Sequence, residues 1–200
     1  MKVIGITGPT GAGKTTALNV LRELGAEVID ADAVYHGLLK GNEELKATLT
    51  KEFGTDLLDE AMQVDRKKLA QAVYPDRLPE LNAITHPFVV EEVDRQVGKA
   101  HREGKKAVAI DAIALIESGL GEKCDAVVTV LAPLELRLRR IMVRDGIDEA
   151  YARRRALAQQ GEDFFRANSG YVLENGPDDT IGSFRAKALA LFRELLEDGA

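Results

Sequence analysis

The sequence predicts a three-layer α/β fold, a five-stranded parallel sheet with helices on both sides. Three observations carry this expectation. "KVIGIT" at residues 2–7 is a β-rich run without polar alternation, the pattern of a strand buried on both faces. Four more short runs follow: "AEVIDAD" (26–32), "KKAVAID" (105–111), "DAVVTVLA" (125–132) and "SGYVLEN" (169–175). Helical patterns fill the space between them, and strands alternating with helices call for parallel pairing through right-handed crossovers.

Taken in order, "KTTALNVLREL" has helical spacing and stops at Gly25, a natural C-cap. Residues 33–104 carry more helix than a crossover needs, including "EELKATLTKEF", "RKKLAQAV" and "HPFVVEEVDRQVGKA", the last starting at His86 with Pro87 at its first helical position. Residues 133–168 form a second helical elaboration, rich in arginine. The chain closes on "DTIGSFRAKALALFRELLEDG", where Phe184, Ala188, Leu191 and Leu195 share one face. One domain of 200 residues is expected: a core of 1–32, 105–132 and 169–200, a helical insert over 33–104, and a lid over 133–168.

Composition narrows the function classes. At 45% hydrophobic and 30% charged, the chain reads as an ordinary globular protein. A net charge of −6 argues against a nucleic-acid binder. No apolar run approaches the roughly 18 residues of a membrane helix, and "MKVIGITG" is too short for a signal peptide. Cys124 is the only cysteine; it stands at a strand entrance as a small hydrophobe and fits a reducing compartment. The expectation is a cytoplasmic protein, monomeric or weakly self-associating, without nucleic-acid or membrane partners.

"GPTGAGKT" at residues 8–15 satisfies G-x-x-x-x-G-K-[ST], with a strand before it and a helix after. Glycines let the loop curl so that backbone N–H groups form an anion nest. The helix that follows adds its dipole and unpaired donors. Gly11, Ala12, Gly13, Lys14, Thr15 and Thr16 are therefore the expected phosphate contacts of a nucleoside triphosphate, with Lys14 on the β- and γ-phosphates and the Thr15 hydroxyl on Mg²⁺. The guanine-reading N-K-x-D and a transporter-type L-S-G-G-Q are both absent, and D-x-x-G occurs only at Asp179. A compact phosphotransferase remains, against a non-catalytic nucleotide-binding regulator.

Such an enzyme needs a group for the acceptor hydroxyl and positive charge over the phosphoryl. "VIDADAV" offers Asp30 and Asp32 at a strand end, two residues apart and so on one side of the strand. Either suits the acceptor hydroxyl; either could also cap the helix that follows. Asp111, closing "AVAID", is a Mg²⁺-linked carboxylate or an ordinary cap. In "PLELRLRRIMVRDG", Leu134, Leu138 and Ile141 make an apolar stripe. Arg137, Arg140 and Arg144 lie on the neighbouring arc, placed to clamp phosphates, while Arg139 faces solvent. "YARRRALAQQ" extends this into a lid that excludes water. Tyr35 and Phe53 read as core, and His36 and His101 as surface.

With "GITGPTGAGKTT", "VIDADAV", "LNAITHP", "AIDAIALIESGL", "RLRRIMVRD", "RRRALAQQ" and "YVLENG" in this order, the chain resembles the dephospho-CoA kinase family over roughly residues 1–196. The resemblance implies transfer of a phosphoryl group from ATP to the ribose 3′-hydroxyl of dephospho-CoA, with Mg²⁺. It implies a P-loop fold whose insert binds the acceptor, with Asp32 at the hydroxyl and His86, Pro87, Asp111 and Glu117 on the acceptor side. It also implies Lys14 and Arg140 on the transferring phosphoryl, Arg144 supporting from the lid, and Asn175 near the ATP base. The chain departs from the family pattern at Ile113, Ala114, Arg137 and the Ser169-Gly170 pair.

Overall fold

Strand β1 (Lys2–Thr7) occupies the middle of the sheet, as its unbroken apolar run requires. In the computed structural model, which describes residues 1–74 and 76–197, the sheet has five strands. They are β1, β2 (Ala26–Asp30), β3 (Ala107–Asp111), β4 (Ala126–Leu131) and β5 (Tyr171–Glu174), in the order β2-β3-β1-β4-β5. β1 runs parallel to both β3 and β4, and β4 runs parallel to β5. The register sets Ile6 beside Asp111 and Thr7 beside Thr129. The carboxyl ends of three strands therefore converge just where the glycine-rich loop leaves β1, the usual position of a ligand crevice in such sheets.

Two compact units make up the chain: residues 1–29 with 99–200, and residues 30–98. In the first, helices α1 (Lys14–Glu23) and α9 (Ile181–Glu197) cover one face of the sheet. Ile4, Ile6, Ala109, Val128 and Val130 from the strands meet Ala17, Leu18 and Leu21 of α1 and Phe184, Ala188, Phe192 and Leu195 of α9. Phe184, Ala188 and Leu195 are buried as expected, but the fully buried Phe192, rather than the half-buried Leu191, completes the apolar face of α9. The last helical pattern and the expected core segment 169–200 end in residues 198–200, which lie outside the described residues. α6 (Leu134–Asp145) and α7 (Glu149–Leu157) pack through Leu138, Ile141, Ala152 and Ala156, with Leu134 half-buried beside them. A short α8 (Glu162–Ala167) then leads into β5.

The second unit is helical: α2 (Ala31–Gly41), α3 (Glu43–Phe53), α4 (Arg66–Val73) and most of α5 (Leu78–Arg102). Its core is a cluster of Leu39, Leu45, Leu49, Leu57, Leu69 and Val73, with Tyr35 and Phe53 packed on it. α3 and α4 follow their sequence patterns residue for residue because each starts on a side-chain cap. Asn42 Oδ1 accepts from the Leu45 N–H at 2.8 Å, and Asp65 Oδ1 from the Lys67 N–H at 2.7 Å.

Two expectations are corrected. β2 stops at Asp30, whose carboxylate accepts from the Ala33 N–H at 3.0 Å and caps α2. Asp32 is thus in the first turn of a helix, and the two carboxylates do not share one side of a strand. Capping decides the boundary: the helix gains a partner for an orphan donor that a longer strand would not supply. Nor does a helix begin at His86. α5 starts at Leu78 and carries Pro87 in its interior. An interior proline costs about 3 kcal/mol. Burial of Val89 and Val93, at about 1.5–3 kcal/mol each, together with Leu81, Ile84 and Phe88 on the leucine cluster, outweighs that cost.

Candidate active site

The loop after β1 is built to expose donors. Gly8 has φ 126°, and a Cβ there would lie 2.2 Å from the Val130 carbonyl oxygen, so no other residue fits against β4. Gly13, at φ 117°, is the N-cap of α1, and no side chain caps that helix. In the first turn of α1 the Thr16 N–H donates to the Gly13 carbonyl at 3.0 Å, and an N-terminus with no side-chain cap favours an anion beside it. Lys14 Nζ donates to the Gly8 carbonyl at 2.6 Å and to that of Pro9 at 3.4 Å, which holds the ammonium over the loop. Thr15 is exposed on the same turn and Thr16 half-exposed beside it.

Arginines from α6 reach this loop from the far side of the sequence. Arg140 Nη1 donates to the Gly11 and Ala12 carbonyls, each at 3.2 Å, and its Nη2 to Asn175 Oδ1 at 3.2 Å. Asn175, 5% exposed just past β5, completes the arrangement by donating Nδ2 to the Ala12 carbonyl at 2.8 Å. Burial lowers the Arg140 pKa, opposed by the negative charge of Asp179. That carboxyl is pushed down to about 2 by Lys187, Ser183 and the Gly176 N–H, so the counter-charge is fixed. Gly13, Thr16, Arg140, Asn175, Asp179, Thr180, Ile181 and Phe184 line a cavity of about 240 Å³ beside the loop.

The expected arginine arc exists, but its members differ in use. Arg137 turns its Nε onto the Thr10 carbonyl at 2.9 Å, and burial lowers its pKa. Arg144 is held by its neighbour Asp145, through Nε to Oδ1 at 2.6 Å and Nη2 to Oδ2 at 3.0 Å. Arg139 is exposed, as its position on the helix requires. The Cys124 thiol donates to the Leu120 carbonyl, and burial pushes its pKa up to about 12, so it is an unreactive packing group.

The chain as a whole matches a known family. A family model described as dephospho-CoA kinase matches residues 2–179 of the chain. The chain belongs to the dephospho-CoA kinase family. A curated dephospho-CoA kinase of Corynebacterium diphtheriae is 35% identical over 177 residues, 88% of each chain. Among solved structures, a Thermus thermophilus protein superposes with a TM-score of 0.80 at 31% identity, covering 97% of both chains. The dephospho-CoA kinase of Campylobacter jejuni gives a TM-score of 0.72 at 25% identity, covering 99% of this chain and 98% of its own. The expected α/β fold and kinase class therefore hold.

Within this dephospho-CoA kinase frame, the first unit brings together Gly11, Ala12, Gly13, Lys14, Arg140, Arg144 and Asn175. Asp111 ends β3, half-buried, and Glu117 stands exposed in the turn after it. Asp32, His86 and Pro87 lie in the second unit: Asp32 and Pro87 are exposed, and His86 is half-buried within α5. Sequence reasoning missed Thr10, Gln159, Asp145 and Asp179 as contributors. The adjacency of Arg144 and Asp145 was a visible signal for one of them. Gln159 bonds across 149 positions, and no local pattern announces that.

Proposed function

We propose that this kinase transfers the γ-phosphoryl group of ATP to the ribose 3′-hydroxyl of dephospho-CoA, giving coenzyme A and ADP, the last step of coenzyme A synthesis. The observation that carries this reading is the family match lying over a loop whose capping glycine leaves the α1 N-terminus open to phosphate. Lys14 and Arg140 then neutralise charge on the transferring group, which is most of what phosphoryl transfer asks of a protein. Asp32 receives the acceptor hydroxyl, as a base or by orienting it, with His86, Pro87, Asp111 and Glu117 on the acceptor side. Asn175 borders the ATP base through the cavity it shares with Arg140.

Mg²⁺ suits the donors present. Among the described residues no three His, Cys, Asp or Glu side chains gather into a protein cage. The Thr15 hydroxyl and the Asp111 carboxylate are hard oxygen donors, suited to an ion that arrives with the triphosphate and keeps several waters. Bound there, the ion would supply positive charge to offset that of the phosphate groups. Arg144, released from Asp145, supports the phosphates from the segment 133–168, which closes to exclude water.

Among the described residues no helix is long and apolar enough to cross a membrane. A cytoplasmic enzyme, monomeric or weakly self-associating and without nucleic-acid partners, is the setting this reading fits. The test is ADP release from Mg-ATP with dephospho-CoA, set beside adenosine, AMP, CMP and shikimate. Turnover confined to dephospho-CoA, with coenzyme A identified by mass, is expected. Preference for another acceptor would overturn it.

A further inference from the structure

Thr10 stands in the middle of the phosphate loop, 8% exposed, and all its polar groups are taken by one distant segment. Its N–H donates to Gln159 Oε1 at 2.9 Å. Its carbonyl accepts from Arg137 Nε at 2.9 Å, and its hydroxyl lies 3.5 Å from Arg144 Nη2. The backbones also touch: Gly11 has φ 79°, and a Cβ there would fall 2.8 Å from the Arg137 carbonyl oxygen. The segment that supplies these groups is itself tied together. Asp145 holds Arg144 of α6 and accepts from Arg155 Nη1 of α7 at 2.7 Å, over the apolar contact between the two helices.

Peptide geometry converts this grip into a functional effect. In a trans peptide the C=O and the next N–H point in opposite directions. Gln159 draws the Thr10 N–H outward, so the Pro9 carbonyl faces the other way, where Lys14 Nζ lies at 3.4 Å. Arg137 draws the Thr10 carbonyl outward, which turns the Gly11 N–H away from α6. We propose that Gln159 and Arg137 are positioning residues that orient the two peptide groups flanking Thr10, and through them Lys14 and the Gly11 donor, so that the grip on ATP depends on the seating of residues 134–160. The inference rests on the loop's being the ATP site.

Arg137 supplies a sharp test. Only its Nε bonds to the loop, and its Nη2 is buried without a hydrogen-bond partner among the described residues. The Nε2 of glutamine branches from the same chain position as arginine Nε, so Arg137→Gln keeps the donor and removes the unpartnered one. Arg137→Met and Gln159→Met remove the donor and the acceptor with little change in volume. The experiment measures ATP affinity by calorimetry, KM for each substrate, kcat and melting temperature, for the wild type, these three variants and the double methionine variant.

The methionine variants should each raise the ATP KM five- to tenfold, the size of one lost hydrogen bond, and leave the acceptor KM within twofold. The double variant should be less affected than the product of the two, because both act through Thr10. Arg137→Gln should restore ATP affinity to within twofold. Wild-type ATP parameters in both methionine variants would overturn the inference. So would a parallel loss of both KM values and melting temperature without rescue by glutamine, which marks plain structural support. A wild type that binds no ATP would instead overturn the ATP reading, and this inference with it.

Discussion

Arg140 and Asn175, in the sheet-based unit, direct their polar atoms onto the carbonyls of Gly11 and Ala12. Asp32 and Pro87, in the helical unit, stand exposed on helices whose stability comes from a separate leucine cluster. In the first region, at Arg140 and Asn175, the hydrogen bonds that shape the loop also place the charge, so at these two positions chemistry and fold cannot be perturbed separately. In the second they can. A side chain such as Asp32 holds no other group among the described residues, and its replacement should change the reaction alone.

The largest expected effect follows from that separation. Asp32→Asn should lower kcat by about 10²- to 10⁴-fold, the range of general acid–base assistance, and leave ATP affinity and melting temperature unchanged. Equal turnover in the variant would remove Asp32 from the mechanism. Asn175→Ala probes the opposite region. It strips the buried Ala12 carbonyl and Arg140 of a partner, at about 1–3 kcal/mol, and calorimetry should show a lower melting temperature together with weaker ATP binding. A loss of one without the other would break the comparison.

Smaller effects sharpen it. Asp30→Ala removes the α2 cap and should cost about 1 kcal/mol in urea unfolding, with kcat within twofold of the wild type. Two carboxylates two positions apart would then divide cleanly, one for stability and one for chemistry. The smallest effect is on acid stability. Asp145 is held at about 2, below its ordinary 3.8, chiefly by Arg144 and then by Arg155. A depressed carboxyl stabilises the fold above its unfolded pKa, and that contribution fades as pH falls from about 4 towards 2. Asp145→Asn should therefore melt lower than the wild type at pH 7, and the two should converge near pH 2.

Much of the molecule was legible in the order of residues. The buried strands announced themselves because a strand covered on both faces can carry no polar alternation, and α3 and α4 because capping side chains lie next to what they cap. The phosphate loop was legible because a tight nest admits few residues besides glycine. What failed was the end of β2 and the start of α5. At Asp30 a strand end and a helix cap compete within two residues, and both use aspartate. At Pro87 the local rule against interior proline lost to the packing of α5 on residues distant in sequence.

The sequence by itself determined the sheet, the phosphate loop, the arginine-bearing helix and the kinase family, since each depends on neighbours within a few positions or on a contiguous motif. Only the tertiary structure decided how the arginines divide their work. Arg137, Arg140 and Arg144 look alike along α6, yet one orients a peptide, one spans two carbonyls and an amide, and one is held by Asp145. A guanidinium offers several donors in a fixed fork, and which are used depends on the acceptors within about 3 Å: for Arg137 and Arg140 folding brings up loop carbonyls more than a hundred residues away, whereas Arg144 is held by the neighbouring Asp145.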